Sequence, residues 1–460
     1  MSEVRADELA QFAAGLRVSD VPGPVRKVAR DHILDTIGVS LACAGLPYMK
    51  TLERVSSPLA GAARVLGSAT TYPAATAAFL TGSLSHGNDY DDSYVEGIVH
   101  PTGPALAAAL AMSGKCTGAD LLAAVVAGVE VTCRVAQAVG PAMLANGVHP
   151  TSACGVLGAT AAAGRAAGLT ADELANALAL AAGTAGGLHQ STIDGSWNKR
   201  IHGGLAARAA VTCCELARAG MTAPRRVLED GAGLFRTLGV ADRDLRAVTA
   251  DLGGRWEAAK TAIKVYPACQ GVHPYVDCAI TLHQQASTDD VQSIALRIGR
   301  KVGLLLCEPR AERLHPSNGM AAKFSLPYTV AYALRYGKLT EAAFDWRQPV
   351  SPAVLSLASR VTWEIDPHFD VGMAESGYVS VTTKAEGTTT AEQPNCRGSW
   401  QNPLGTAEVE AKFTDNVAGR LGAARAAALG TVVEDIESAP DLTELFDLGV
   451  IDAQSTVLVS

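Results

Sequence analysis

The stretch TGADLLAAVVAGVEV, residues 117–131, decides the fold class of this 460-residue chain. Five of its apolar side chains recur at the spacing of one helix face, namely Leu121, Leu122, Val125, Val126 and Val129. Thr117 followed by Asp120 is a helix start signal, because the hydroxyl caps free N–H groups and the acid favours the positive helix end. The sequence therefore predicts a long core helix here.

The same helical spacing extends outward from Pro24 to about Ile263, and Thr170 with Glu173 marks a second helix start. Beyond Lys264 the apolar residues alternate at the period of a strand, in three groups: Ile294, Leu296 and Ile298; Val361, Trp363 and Ile365; Val379 and Val381. Helical patterning returns near the end, as over residues 418–429. The sequence predicts a mainly α protein with a large all-helical domain, residues 1–263 rejoined by 402–460, and a smaller α/β lid domain, residues 264–401.

Composition excludes several classes of protein. The 38 basic and 46 acidic residues give a net charge of −8 without a long run of one sign, so we expect no nucleic-acid or membrane-surface partner. No uninterrupted apolar run approaches the roughly 20 residues of a membrane span. The acidic N-terminus does not resemble a secretory signal, and the ten cysteines lack metal-site spacing. We expect a cytoplasmic enzyme with reduced core cysteines.

Histidines carry the main chemical signal. Four of the ten directly precede proline, at His100, His149, His273 and His315. Since a residue before proline avoids the α region, we expect each to lie extended at the start of a following element. Free N–H groups at a helix start attract anions such as carboxylates, although a His-Pro pair also serves simply to begin a helix.

The segment HGNDYDDSY, residues 86–94, concentrates acids and imidazoles. Its aspartates, Asp89, Asp91 and Asp92, are compatible with a Mg²⁺ site, because hard cations take oxygen ligands. They are equally compatible with acid/base chemistry, in which an aspartate orients a histidine such as His100, and with a solvated helix cap. The residues alone leave these three interpretations open.

Two further segments place cations beside histidines. Lys199 and His202 are three positions apart and would share a helix face, so a buried Lys199 needs an acidic partner or a bound anion. The segment KVYPACQGVHPYVD, residues 264–277, places Lys264, Cys269 and His273 at the predicted domain junction, a common location for ligand pockets. Phosphate-loop, nucleophile-elbow and zinc-protease motifs are absent from the sequence.

Taken together, these segments resemble the MmgE/PrpD family, which includes 2-methylcitrate dehydratase, cis-aconitate decarboxylase and iminodisuccinate epimerase. The likeness covers nearly the whole chain. The segments that carry it are HGNDYDDSY with HPTGP, GVHPTSACGVLGA, NKRIHGGLAARAA, KVYPACQGVHPYVD and KFSLPYTVAYAL, which begin at His86, His100, Gly147, Asn198, Lys264 and Lys323. The resemblance implies a helical domain with a smaller α/β lid, an active site in the cleft between them, a homodimer, and a site without metal or cofactor.

The resemblance also implies which residues act. It places catalytic groups at Asp89, His100, His149, Lys199, Lys264 and Tyr328. It adds Ser93 as a substrate-binding group, and the cysteine at position 269 differs from the histidine found there in some decarboxylases. From the clusters above, His202, Cys269 and His273 complete the predicted substrate-binding set.

The predicted function is that of a cofactor-free lyase for a di- or tricarboxylic acid. The lysines would stabilise charge as a proton leaves the carbon next to a carboxylate, and the histidines would move protons. We expect a 2-methylcitrate dehydratase-like hydro-lyase, with a cis-aconitate decarboxylase-like lyase or a dicarboxylate epimerase as alternatives. A binding protein without catalysis is a further alternative, which the retained polar set disfavours. The sequence does not indicate which histidine is acid and which is base, nor the natural substrate, stereochemistry or pathway.

Overall fold

The computed structural model describes residues 4–56, 60–229, 231–240, 245–285, 288–345, 350–370 and 375–451. The α-helices among them are α1 (Arg5–Gly15), α2 (Gly23–Cys43), α3 (Pro47–Ser56), α4 (Ala74–Ser85), α5 (Thr102–Met112), α6 (Gly118–Ala145), α7 (Pro150–Ala166), α8 (Ala171–Ala182), α9 (Ser191–Asp194), α10 (His202–Arg218), α11 (Leu234–Thr237), α12 (Arg246–Thr249), α13 (His273–His283), α14 (Arg300–Val302), α15 (Arg310–Leu314), α16 (Gly319–Ala322), α17 (Leu326–Tyr336), α18 (Pro352–Ala358), α19 (Thr406–Leu421), α20 (Ala423–Glu434) and α21 (Thr443–Gly449). The protein is mainly α with a smaller α/β part, which confirms the predicted fold class.

Short helical turns and strands complete the description. One-turn 3₁₀ segments occupy Val18–Asp20, Trp197–Ile201, Glu257–Lys260, Gln270–Val272, Thr288–Asp290, Glu341–Phe344, Pro367–Phe369 and Ile436–Ser438, and a π turn spans Gly303–Cys307. The strands are β1 (Ala63–Arg64), β2 (Thr71–Tyr72), β3 (Val291–Ile298), β4 (Val361–Ile365), β5 (Gly377–Thr383) and β6 (Gly387–Gln393).

The chain divides into two compact units, which are described separately. The first unit comprises residues 1–189, 197–261 and 405–460, and the second comprises 190–196 and 262–404. In the first unit α7 packs against α5, α6 and α10, and α10 packs against α4. Helices α5 and α7 are rich in alanine and glycine, and such small side chains permit close packing. Helix α2 packs against α19, so the end of the chain joins the same core.

The deciding stretch forms α6, and its start is as predicted. The backbone N–H of Asp120 donates to Thr117 Oγ1 over 3.2 Å, while Thr117 N–H donates to the Asp120 carboxylate. Thr170 and Glu173 form the same reciprocal pair at the start of α8. Among the described residues α6 is the one helix long and apolar enough to cross a membrane, and 89% of its apolar stretch is buried. Such burial is typical of a core helix in a soluble protein.

The second unit contains a four-stranded sheet in the order β4-β3-β5-β6. Strand β3 runs parallel to β4 and antiparallel to β5, and β5 runs antiparallel to β6. Ile294 and Leu296 lie opposite Val381 and Val379, and all four side chains are buried, so the predicted alternation is confirmed. Ile365, also predicted on a strand, ends β4 with its side chain 45% exposed.

The predicted helical patterning over 418–429 is confirmed in two helices, α19 and α20, which meet at Gly422 with a φ of +77°, a conformation that glycine accepts without steric cost. Two predictions for histidines that precede proline were wrong. His273 was expected to be extended but has helical angles of −57° and −49°, since it continues a 3₁₀ turn directly into α13 within the core of the second unit. His149 has the expected extended backbone, and His315 ends α15 instead of preceding a helix.

Candidate active site

Four helices of the first unit place polar groups around one buried position. Helix α4 ends at Ser85 with His86 as its C-cap, and the segment that follows turns back through a bridge between Tyr94 and Val99 before α5 begins. His149 is the N-cap of α7, and Lys199 lies in the turn that leads into α10. Because α4, α5, α7 and α10 pack against one another, their ends hold residues distant in sequence at short range.

Close contact between α4 and α10 depends on glycine. A Cβ atom on Gly82 would lie 2.8 Å from the Cα of Gly204, and one on Gly204 would collide with the carbonyl oxygen of Phe79 and with Ser83 Oγ. The absence of side chains at both positions allows the backbones to approach. This contact sets the separation of His86 at the end of α4 from His202 at the start of α10.

Asp89 and Lys199 form a buried ion pair. Lys199 Nζ lies 2.7 Å from Asp89 Oδ1, and the two residues expose only 2% and 1% of their surface. Asp89 has a φ of +53°, in the left-handed region that aspartate tolerates better than most residues. An unpaired charge at this depth would be costly, so the pair accounts for the partner that the sequence required of Lys199.

Lys199 also contacts His86, which in turn contacts Asp91. His86 Nδ1 lies 2.6 Å from Asp91 Oδ2, and His86 Nε2 lies 3.4 Å from Lys199 Nζ. An ammonium group can only donate, so Nε2 accepts and Nδ1 carries the proton that faces Asp91. Burial, followed by the charge of Lys199, lowers the pKa of His86. His86 is therefore a neutral bridge between a carboxylate and a cation.

The hydrogen bonds of His100 define its protonation. Its Nδ1 lies 2.6 Å from the carbonyl oxygen of Asp92, which can only accept, so Nδ1 carries a hydrogen. In the neutral ring the lone pair is then on Nε2, which lies 3.9 Å from Asp89 Oδ1. The hydroxyl oxygen of Ser93 lies 3.2 Å from Nδ1. The arrangement makes Nε2 the basic atom of His100.

The carboxylate of Asp92 anchors the segment that bears Asp89 and His100. Its carboxylate accepts from the backbone N–H of Thr102 over 3.2 Å and from Thr102 Oγ1 over 2.6 Å. His32 Nδ1 lies 3.0 Å from the same carboxylate. Because α5 begins at Thr102, Asp92 ties the segment that bears Asp89 and His100 to the start of that helix.

His149 and His202 contact each other directly. Their Nδ1 atoms lie 3.0 Å apart, and the Nδ2 atom of Asn198 lies 3.1 Å from His202 Nε2. Burial is the main cause that lowers the pKa of His202 to about 3, and burial followed by the charge of Lys199 holds the pKa of His149 well below its usual range. Both rings are neutral near pH 7.

Comparison with known proteins identifies the relationship. The MmgE/PrpD N-terminal domain matches residues 7–244, and the MmgE/PrpD C-terminal domain matches residues 266–438. The chain belongs to the MmgE/PrpD family. This confirms the resemblance that the sequence segments indicated.

Curated MmgE/PrpD relatives align over almost the whole chain. Cis-aconitate decarboxylase of Homo sapiens is 28% identical over 471 residues, which cover 96% of this chain and 94% of that protein. The Mus musculus enzyme of the same name is 27% identical, covering 95% of this chain and 92% of the relative. A cis-aconitate decarboxylase-like protein of Aspergillus oryzae is 25% identical and covers 96% of each. The chain is therefore similar to cis-aconitate decarboxylases of this family.

The MmgE/PrpD fold brings together six of the predicted site residues within the first unit. They are Asp89, Ser93, His100, His149, Lys199 and His202. Ring centroids of His86 lie 5.2 Å from His100 and 5.6 Å from His149, so the imidazoles form one cluster. The predicted roles of these residues stay predictions, while their proximity is a property of the fold.

The other four predicted residues belong to the second unit. Lys264 is fully buried, and Cys269 donates its backbone N–H to the carbonyl oxygen of Lys323. His273 Nε2 lies 3.2 Å from the carbonyl oxygen of Ala268. The hydroxyl of Tyr328 donates to the carbonyl oxygen of Ala343 over 2.7 Å, and Tyr328 lies in the hydrophobic core of this unit. Catalytic use of these four groups stays a prediction.

Three contacting residues were missing from the predicted site. His86 and Asp91 belong to the segment that the sequence singled out, but nothing there indicated that His86 contacts Lys199 or that Asp91 contacts His86. Asn198 directly precedes that lysine and was quoted only as part of a longer segment. The signals available for His86 were its place in that acidic segment and its position directly after an apolar helix and before glycine.

The acidic segment also permits a test of the magnesium interpretation. Asp89, Asp91 and His100 each offer a ligand atom, and these atoms lie within 4.8 Å of one another. The ammonium group of Lys199 is already 2.7 Å from Asp89 Oδ1. A fixed cation at that oxygen opposes a second one through charge repulsion, so the donor set fits an ion-pair site better than a magnesium site.

Proposed function

We propose that this protein is a cofactor-free lyase for a di- or tricarboxylic acid, acting by proton removal next to a carboxylate and then by loss of water. One observation carries the proposal. The basic Nε2 of His100 and the ammonium group of Lys199 lie 3.9 Å and 2.7 Å from the same oxygen of Asp89, in a buried setting. A base and a cation fixed at one point are what proton removal from a carboxylic acid needs.

The first step forms a carbanion stabilised as an enolate. His100 Nε2 takes the proton from the carbon next to a substrate carboxylate, and the electron pair of the broken C–H bond moves onto that carboxylate. Negative charge grows on oxygen. The Lys199 ammonium stabilises this charge, and its effect is strong because burial removes water that would screen it.

The second step completes a dehydration. The electron pair returns to form a C=C bond as the C–O bond of the neighbouring hydroxyl breaks. The departing oxygen takes a proton from a second imidazole and leaves as water, so the net products are an alkene and water. Several imidazoles in one cluster suit this step, because a base and an acid are needed in the same turnover.

Decarboxylation is the second candidate, favoured by the names of the curated relatives. In that reaction a C–C bond breaks, carbon dioxide leaves, and the electron pair is protonated on carbon. The same lysine would stabilise the charge. Cys269 disfavours this reaction, since the resemblance places histidine at that position in some decarboxylases.

Incubation in D₂O separates these reactions. Citrate, 2-methylcitrate, cis-aconitate and amino-dicarboxylates are each mixed with the protein and followed by ¹H and ¹³C NMR. We expect an alkene product and exchange of the abstracted proton with solvent deuterium. Release of carbon dioxide would establish the decarboxylase, and deuterium incorporation without an alkene or carbon dioxide would establish an epimerase. No exchange with any of these acids would overturn the proposed proton abstraction.

The proposal includes a cytoplasmic location and a homodimer. All ten cysteines are free and buried, as expected for a protein kept in a reducing compartment. The homodimer rests on the family resemblance. Sedimentation equilibrium of the purified 47.4 kDa chain tests it, with a mass near twice this value expected and a monomer at micromolar concentration contradicting it.

A further inference from the structure

His202 lies between the exposed side-chain amide of Asn198 and the buried ring of His149. On one side, Asn198 Nδ2 lies 3.1 Å from His202 Nε2. On the other, His202 Nδ1 lies 3.0 Å from His149 Nδ1. His202 itself is 2% exposed, so its two ring nitrogens have these groups as their close polar neighbours. The three residues form a hydrogen-bonded chain within the first unit.

The donor in the hydrogen bond between Asn198 and His202 determines the donor in the hydrogen bond between His202 and His149. An amide nitrogen only donates, so His202 Nε2 accepts and holds a lone pair. A neutral imidazole carries a single N–H, which in His202 is then on Nδ1. That N–H donates to His149 Nδ1, which must therefore be the unprotonated nitrogen of its ring. His149 is left with its hydrogen on Nε2.

We propose that Asn198 and His202 are positioning residues that hold His149 in the Nε2–H form, so that His149 is the proton donor of the reaction. The assignment of His149 as donor rests on the proposed function. Nothing in the sequence distinguished the two catalytic histidines, whereas their hydrogen bonds do so. His100 has its hydrogen on Nδ1 and a basic Nε2, and His149 has the opposite arrangement.

The assignment gives each proton a route. His100 Nε2 receives the proton from carbon, and His149 Nε2–H provides one to the departing hydroxyl oxygen. Water is released, which leaves His100 as an imidazolium and His149 as an imidazolate near the Lys199 ammonium, and the proton gained by His100 returns to His149 through solvent. Neutral imidazole serves as a hydrogen-bond donor to developing negative charge in other enzymes, so a positively charged ring is not required.

The lowered pKa values of His149 and His202 are consistent with this chain of hydrogen bonds. Burial and the nearby ammonium of Lys199 depress the pKa of both His149 and His202. Neither ring is then doubly protonated at neutral pH, and the choice between the two neutral forms is left to hydrogen bonding. Asn198 controls that choice because its amide can donate at every pH.

Matched variants of His202 test the chain. His202→Asn retains an N–H donor at the position of Nδ1, whereas His202→Leu removes it at similar volume. Both variants lose the imidazole ring and its packing, so a purely structural role would affect them equally. Asn198→Leu, at an exposed position, removes the first donor without altering the core.

The primary measurement is two-bond ¹H–¹⁵N NMR of histidine-labelled full-length protein, which distinguishes Nε2–H, Nδ1–H and doubly protonated rings. The resonances of His149 are assigned by their loss in His149→Gln. We expect the Nε2–H form of His149 in the parent and in His202→Asn, and a mixture of forms in His202→Leu and Asn198→Leu. An Nδ1–H or doubly protonated His149 in the parent at pH 7 would overturn the proposal, as would an unchanged spectrum in both leucine variants.

Kinetics supply the second readout. In the two leucine variants we expect kcat to fall roughly threefold to tenfold with little change in KM, since one hydrogen bond is lost. His202→Asn should recover most of the loss. The NMR result does not depend on turnover, so failure of the proposed lyase activity with an Nε2–H His149 would reject the function and leave the positioning chain intact. Equal kcat losses in His202→Asn and His202→Leu would reject the chain.

Discussion

The Lys199 ammonium group lies 2.7 Å from Asp89 Oδ1, close to the rings of His86 and His149, which burial keeps neutral. The lysine is thus a positive charge facing the cluster, held by a carboxylate on one side and by His86 on the other. Such a charge is prearranged and needs no reorganisation when an enolate forms.

Removal of this cation should abolish turnover. We expect Lys199→Ala to lower kcat/KM at least a hundredfold, because a preorganised electrostatic group contributes on the order of 3–4 kcal/mol to the transition state. Lys264→Ala is predicted to have a similar effect. Lys27→Ala is the control, since Lys27 makes an exposed pair with Asp31. Circular dichroism verifies that each variant folds, and near-parental rates in both site variants would contradict the assignment.

Activity should survive removal of divalent metal ions. The ligand atoms of Asp89, Asp91 and His100 lie within 4.8 Å of one another, but Lys199 already supplies positive charge at Asp89. We expect unchanged rates after dialysis against EDTA and after treatment with 1,10-phenanthroline, with residual metal measured by mass spectrometry. Loss of activity that added Mg²⁺ restores would return these three residues to the magnesium interpretation.

Local features of the fold were predictable because neighbouring residues determine them. The pairs Thr117 with Asp120 and Thr170 with Glu173 form the expected helix starts, since each pair lies within one turn. Alternation along β3 and β5 likewise reflects the two faces of a sheet. His273 departed from expectation because packing of α13 outweighed the local preference of a residue before proline.

Pairing within the candidate site was not predictable in the same way. Asp89 and Lys199 are 110 positions apart, and their contact depends on the packing of α4 against α10. The sequence required an anionic partner for a buried lysine but offered several acids. The hydrogen-bond directions around His100 and His149 depend on a backbone carbonyl and an amide, which residue identity alone does not place.

Stability should fall in mild acid because of His202. Its pKa is about 3 in the folded protein and roughly 6.5 in the unfolded chain, so between these values the unfolded state binds a proton that the folded state does not. The free energy of unfolding therefore decreases as pH falls below about 6.5, and from pH 7 to pH 5 this residue alone accounts for about 2 kcal/mol. Burial is the main cause of the lowered pKa, followed by the neighbouring ionisable groups His86, Lys199 and His189.

Urea unfolding at pH 7 and pH 5 measures this effect. We expect His202→Asn to lose about 2 kcal/mol less than the parent over this interval, because it has no proton to bind on unfolding. His315→Asn, at an exposed position, is the control and should follow the parent. An acid sensitivity in His202→Asn equal to that of the parent would show that His202 is not a buried neutral ring.

At Gly204 the backbone of α10 lies very close to α4. A Cβ at position 204 would collide with the carbonyl oxygen of Phe79 and with Ser83 Oγ, and the first of these is backbone that cannot move aside without moving α4. Gly204→Ala should therefore lower the free energy of unfolding by roughly 1–3 kcal/mol. Gly419→Ala is the matched control, because Gly419 lies in α19 with nothing within 4 Å of an added Cβ. That substitution should stabilise the protein by roughly 0.5–1 kcal/mol.

A change in the distance between α4 and α10 should also lower the rate of the reaction. His86 is the C-cap of α4 and His202 begins α10, so a shift between these helices displaces His86 from Lys199, which lies just before α10. We expect Gly204→Ala to reduce kcat more than its loss of stability explains at temperatures where it is fully folded, and to shift the ¹⁵N resonances of His86 and His202. Parental kcat and unshifted resonances in a folded Gly204→Ala protein would show that the glycine contact does not set the geometry of the site.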